Sequence, residues 1–405
     1  MTAAGPLEYL EANRARLVHD LIAFARIPSV STDPTYRGEV HRAAGWVAER
    51  LRAAGLEAVR IHSTACHPAV TAEWLHAQGA PTLLVYGHYD VQPPDPIEAW
   101  TSPPFAPEVR DGRIYGRGVS DDKGPVLIAI AAAEACLGTT GRLPVNLRFL
   151  IEGEEESGSP SLPAFLHDHA GELAADWVLS ADGAMWRADV PSVTVAGRGL
   201  VALEFSVLGA AKDLHSGRHG GSAPNPLHAI ARLVASLHDE TGRVAVAGFY
   251  DDVREVDALT RADLRALPFD EAAYLDAIGA QIIEHLRRHC PAGVRLEVRG
   301  PDNGARAYAI PADHPGLRLA ERVLGEVYGR EAHRVRMGAT LPICDHFRRL
   351  LGQETVFFSF STADEDYHAP NEFFRLQRLE DGLRAWLRYW QLLACEPRTR
   401  PRSAS

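Results

Sequence analysis

The chain has 405 residues, is 46% hydrophobic and carries a formal net charge of −11. That length exceeds what one hydrophobic core usually supports, so two domains are expected, with insertion of one into the other an option. The acidic balance argues against a nucleic-acid partner, which would need clustered Lys and Arg, and Cys66, Cys136, Cys290, Cys344 and Cys395, odd in number and without a CxxC pair, argue against a disulfide framework or a thiolate zinc site.

From Leu7 to Ala25 and from Glu39 to Ala54 the apolar residues recur at helical spacing, with Gly55 as a stop. No basic stretch followed by an apolar run lies between Met1 and Pro28, and the Val126–Leu137 run is too short to span a bilayer. A cytoplasmic protein without a membrane partner is therefore expected. Leu56–Ile61, Ala69–Leu75 and Thr82–Tyr86 read as strands, the last as a buried central one. A helix over Lys123–Leu137, a strand over Val145–Ile151, a helix over Leu162–Leu173 and strands over Trp177–Ser180 and Val193–Ala196 follow. This alternation predicts an α/β fold with a mostly parallel central sheet flanked by helices.

After Gly197-Arg198-Gly199 the pattern restarts, with a strand over Leu200–Leu208, a helix over Pro226–Leu237, and Ile282–His289 and Val294–Val298 as the last helix and strand of an inserted α+β unit. From Asp313 onward long helices return, with one strand over Thr355–Phe360 and a final helix from Asn371 to about Leu393. The expected division is a catalytic domain in two parts, 1–197 and 311–397, an inserted domain over 198–310, and a disordered tail over 398–405.

The chemistry gathers where strands end. Gly87-His88-Tyr89-Asp90 lies just past the Thr82–Tyr86 strand, where open α/β sheets place their ligand sites. Asp121 and Asp122 close a glycine-punctuated loop at the start of a helix, and Glu152, Glu154, Glu155 and Glu156 crowd the end of the Val145–Ile151 strand. Asp182 follows another apolar strand, and His368 precedes the last helix. Singly, these have bland readings: hydrogen-bonded loop residues, helix caps or a solvated charged face. Together they bring two imidazoles and several carboxylates to one sheet edge, a hard nitrogen and oxygen set suited to zinc, manganese or cobalt.

Five ordered segments, GHYDVQP, GRGVSDDKG, EGEEESGSP, SADG and DYHAPNE, make the chain resemble the metallopeptidase family of carnosine-type dipeptidases, aminoacylases, acetylornithine deacetylases and succinyl-diaminopimelate desuccinylases, most nearly the dipeptidase branch. The resemblance implies a zinc-peptidase-like catalytic domain holding two divalent ions, zinc first, manganese or cobalt next. It implies that His88 and Asp182 bind one ion, Glu156 and His368 the other, and Asp121 both. Asp90 would orient His88, and Glu155 would serve as general base to a hydroxide bridging the ions. The substrate would be a dipeptide or an N-acyl amino acid. His215, in Lys212-Asp213-Leu214-His215-Ser216-Gly217, resembles the family's oxyanion-holding histidine, and Gly338 a substrate-site glycine. The peptide after Asp121 is commonly cis in the family.

One departure stands out. The inserted lid domain of the family runs strand, helix, strand, strand, helix, strand, and here nothing between Tyr250 and Ile282 reads as the two inner strands or as the segment of the substrate-gripping arginine. A shortened lid is expected, its first and last strands left unpaired or newly paired, which bears on the homodimer that relatives form through it. An alternative reading follows: a metal-binding homologue with impaired turnover, acting in binding or assembly.

Overall fold

A computed structural model describes residues 5–197, 203–251, 295–299, 308–336 and 342–396. The strands in chain order are β1 (Glu57–His62), β2 (Ala69–Trp74), β3 (Thr82–His88), β4 (Glu108–Arg110), β5 (Arg113–Tyr115), β6 (Asn146–Glu152), β7 (Trp177–Ser180), β8 (Ser192–Gly197), β9 (Glu204–Leu208), β10 (Arg295–Arg299), β11 (Tyr308–Ala309), β12 (His333–Arg336), β13 (Thr355–Phe357) and β14 (Phe373–Arg375). The chain divides into two compact units. One comprises Met1–Ala196, Ala309–Arg336 and His346–Ser405, the other Gly197–Tyr308 and Met337–Asp345.

The first unit is built on a six-stranded sheet of order β1-β2-β6-β3-β7-β13. β6, β3, β7 and β13 run parallel, and β2 and β1 add on antiparallel at one edge. Leu83, Leu84, Val85 and Tyr86 of β3 are all fully buried, because successive residues point to opposite faces and both faces are covered. On one face the helix Gly124–Thr140 packs so closely that a Cβ on Gly87 would lie 2.6 Å from Val126. The final helix, Leu376–Cys395, crosses behind it, with Gly382 set against Ile128 and Phe360. On the other face Tyr86 meets Phe347 edge to face, the ring centroids 5.2 Å apart. The α/β architecture with a mostly parallel sheet is the one expected from the sequence.

Several element boundaries differ from expectation. The first helix is broken into Pro6–Ala12 and Arg14–Ala25 at Asn13, whose side-chain amide donates to the Tyr9 carbonyl and competes with the helical pattern. The helix beginning at Leu162 stops at Asp168 rather than Leu173. The final helix starts at Leu376, not Asn371. Phe373–Arg375 instead forms β14, paired antiparallel with β5. The short strands β4, β5, β12 and β14 were not foreseen, being too short to show a period.

In the second unit β9 and β10 pair antiparallel in register from Leu208↔Arg295 to Glu204↔Arg299. The helix Pro226–Ala235, capped by the Asn225 side chain, packs Ala229 and Leu233 against Val207. The first and last lid strands are therefore partnered with each other. The stretch expected to lack two inner strands, and the helix over Ile282–His289, lie outside the described residues.

Candidate metal centre

Because β3, β6 and β7 are parallel, their C-terminal ends share one edge, and the candidate ligands hang there. His88 is the last residue of β3, Glu155 and Glu156 lie on the turn after β6, and Asp182 lies two residues past β7. Asp121 comes from the loop leading into the Gly124–Thr140 helix. His368 comes from the loop before β14 and holds a left-handed backbone, φ 62°.

Among the described residues, two groups of side chains gather closely enough to share an ion: His88, Asp121 and Asp182, and Asp121, Glu156 and His368. Within each group the ligand atoms lie within 4.8 Å of one another. Asp121 belongs to both. Its Oδ1 is 3.0 Å from His88 Nε2 and its Oδ2 is 2.9 Å from His368 Nε2, which is also 3.1 Å from Glu156 Oε2. The peptide between Asp121 and Asp122 is cis.

Asp90 sits beneath the cluster, fully buried. Its Oδ1 is 3.3 Å from His88 Nδ1, and its two oxygens accept the backbone N–H groups of Glu155 at 3.3 Å and Glu156 at 3.0 Å. One carboxylate thus steadies an imidazole and the turn carrying two glutamates. Gln92, two residues on, donates its side-chain amide to Glu156 Oε2 at 2.9 Å.

The electrostatics fit a cation. Burial, then the charges of Asp182, Glu156 and Asp121, pushes the Glu155 carboxyl well above its usual range. Burial with Asp121 and Glu156 nearby raises Asp182 to about 7, and burial and Asp121 raise Glu156. For Asp121 burial also acts upward, but hydrogen bonds from His368 and His88 outweigh it and hold the group below the carboxylate range. Those same contacts with Asp121 and Glu156 lift His368 to about 10. Asp182 Oδ2 is buried without a hydrogen-bond partner. Carboxylates crowded out of water repel one another, and a buried anionic oxygen without a donor is costly. A divalent ion relieves both. Ligands on a tetrahedral ion with bonds of about 2.0–2.2 Å stand about 3.4 Å apart, close to the 2.9–3.1 Å separations found here.

Of the two other candidates, His215 lies in the second unit, where its Nδ1 accepts the Gly217 N–H at 3.1 Å, and Gly338 lies outside the described residues. No helix among the described residues is long and apolar enough to cross a membrane.

Known proteins are similar to this chain in sequence and fold. The family model for peptidase family M20/M25/M40 matches residues 84–392. A mouse (Mus musculus) Beta-Ala-His dipeptidase is 30% identical, with 90% of each chain covered. The solved structure of the dipeptidase Dug1p from Saccharomyces cerevisiae superposes with a TM-score of 0.84 at 21% identity, over 97% of this chain and 98% of that one. The M20 family metallo-carboxypeptidase Sso-CP2 from Sulfolobus solfataricus gives 0.82 at 25% identity, over 94% and 99%. With the family model matching more than half of the chain and a relative at 30% identity covering most of it, the protein belongs to peptidase family M20/M25/M40 and is a metallopeptidase.

Proposed function

We propose that the chain hydrolyses the amide bond of dipeptides, and of N-acyl amino acids that present the same bond, at the His88, Asp121, Glu156, Asp182 and His368 cluster. The observation that carries the reading is the sharing of Asp121 by two ligand groups, beside a half-buried Glu155 with no ligand position of its own. His88 and Asp182 would hold one divalent ion and Glu156 and His368 the other, with zinc favoured and manganese or cobalt compatible with the donor set. Bound there, the ions supply Lewis acidity, acidifying a water and polarising the amide carbonyl.

The protein's own groups do the rest. Glu155 accepts the proton of the attacking water and returns it to the departing amine. Asp90 keeps Glu155 in place through its backbone N–H and keeps the His88 ring turned toward the site. No covalent enzyme intermediate is needed, so the absence of a nucleophilic triad from this reading is consistent. His215 and Gly338 are retained as substrate contacts, and a homodimer through the second unit as the assembly. The mouse and yeast relatives are named as dipeptidases, and none of the relatives named above supports the alternative of a homologue without turnover.

Zinc-, manganese- and cobalt-loaded enzyme is tested against β-Ala-His, other dipeptides, N-acetyl amino acids and longer peptides, with amino-acid release as the readout. Release from dipeptides is expected. Release only from the C-terminus of longer peptides would favour the carboxypeptidase-like relative, and no release from any metal form would end the proposal.

A further inference from the structure

We propose that Glu372 is the positioning residue that sets the backbone of Asp121 between the two ligand groups. This rests on the two-ion reading above and goes beyond it by assigning a role to a residue that touches neither ion position.

Glu372 is fully buried, as is Arg117. A carboxylate has about four acceptor positions, and donors reach all of them. Oε1 accepts the N–H of Ser120 at 2.9 Å and of Asp121 at 3.2 Å, while Oε2 accepts the N–H of Gly118 at 2.8 Å and Arg117 Nη1 at 2.8 Å. The backbone carbonyl of Glu372 also accepts the Gly116 N–H at 3.0 Å. The loop from Gly116 to Asp121 is therefore wrapped around one side chain, and that side chain lies four residues after His368. Ser120 is held from further directions: its hydroxyl donates to Glu365 at 2.6 Å and its carbonyl accepts from Ser361 Oγ at 2.5 Å.

The consequence follows from what Asp121 does. Each terminal ligand faces one group, whereas the two oxygens of Asp121 face different groups. A displaced Asp121 backbone therefore weakens both ion sites together, while a lost terminal ligand weakens one. Glu372→Gln keeps the shape but offers one acceptor oxygen and turns an NH2 group toward donors, so part of the wrapping is lost. Glu372→Asp keeps the charge on a stem shorter by one methylene.

The test is zinc affinity of the full chain, read by competition with a chromophoric chelator, for wild type, Glu372→Gln, Glu372→Asp and Leu387→Ala. The last removes a buried side chain from the final helix and serves as a control for lost stability. Expected are wild type binding two zinc ions, a loss of about 10- to 100-fold at both sites in Glu372→Gln, the usual scale for partners behind metal ligands, a smaller loss in Glu372→Asp, and unchanged affinity in Leu387→Ala despite a lower Tm. Wild-type affinity in Glu372→Gln, loss at one site only, or an equal loss in Leu387→Ala overturns the role. Should Glu372→Gln fail to fold, unchanged affinity in Glu372→Asp overturns it. A wild type that binds no zinc instead overturns the two-ion reading.

Discussion

Glu155 and Asp121 lie in one cluster but make opposite demands on mutation. Glu155 has no ligand position, so Glu155→Gln should leave the bound ions in place and lower kcat by about 10²- to 10⁴-fold, the range of general-base contributions. Steady-state kinetics alongside metal content checks this, and a kcat within threefold of wild type would take Glu155 out of the base role. Asp121→Ala removes a group shared by both trios and should lower the metal content itself. At this scale the sequence was informative wherever a chemical group followed an apolar strand, as His88, Glu156 and Asp182 do. It placed Glu372, Gln92 and Arg117 inside the matching segments but assigned them no role. Gln92 lies 64 residues from Glu156, and Arg117 lies 255 from Glu372, and nothing in a linear pattern separates a carboxylate that binds an ion from one that binds backbone amides.

At the scale of elements, one polar cluster joins four helices of the first unit. Glu134, on the Gly124–Thr140 helix, accepts from Arg50, from Arg16 at 2.8 Å and from the Tyr9 hydroxyl at 2.9 Å. Burial opposes its ionisation, but the hydrogen bond and charge of Arg50 prevail and lower its pKa below 4.5. A carboxyl whose pKa is depressed on folding stabilises the protein above its unfolded value and loses that contribution as pH falls. Glu134→Ala should therefore cost about 3 to 5 kcal/mol near neutral pH, and the gap to wild type should narrow as the pH drops below 4.5. Denaturant titrations across that range decide the matter, since a gap independent of pH would mean that the charge contributes nothing. A second element-scale prediction concerns Gly87, where an added Cβ would stand 2.6 Å from Asp122 Oδ2 and from Val126 Cγ2. Gly87→Ala should destabilise by about 1 to 3 kcal/mol through overpacking, which a Tm equal to wild type would refute. Long apolar strands such as Thr82–Tyr86 were legible because both their faces are buried. The start of the final helix was not, because Asn371 to Arg375 reads as a helix entrance while Phe373 and Phe374 bury their rings in a strand.

For the whole molecule, the candidate ligands span from residue 88 to residue 368, so an ion held by them ties distant parts of the first unit together. A ligand that binds only the folded chain stabilises it by about 4 kcal/mol at a thousandfold excess over its Kd. Chelation should therefore lower the Tm, and restored zinc should return it. The layer architecture was readable from the alternation of strands and helices, whereas the pairing of β9 with β10 depends on contacts between segments almost ninety residues apart. The most direct test of the central claim, that two ions share Asp121, is elemental analysis of the chain after equilibrium dialysis against zinc, run beside Asp121→Ala. Two zinc ions per wild-type chain and at most one in the variant are predicted. Two ions retained by Asp121→Ala, or none bound by wild type, would contradict the account.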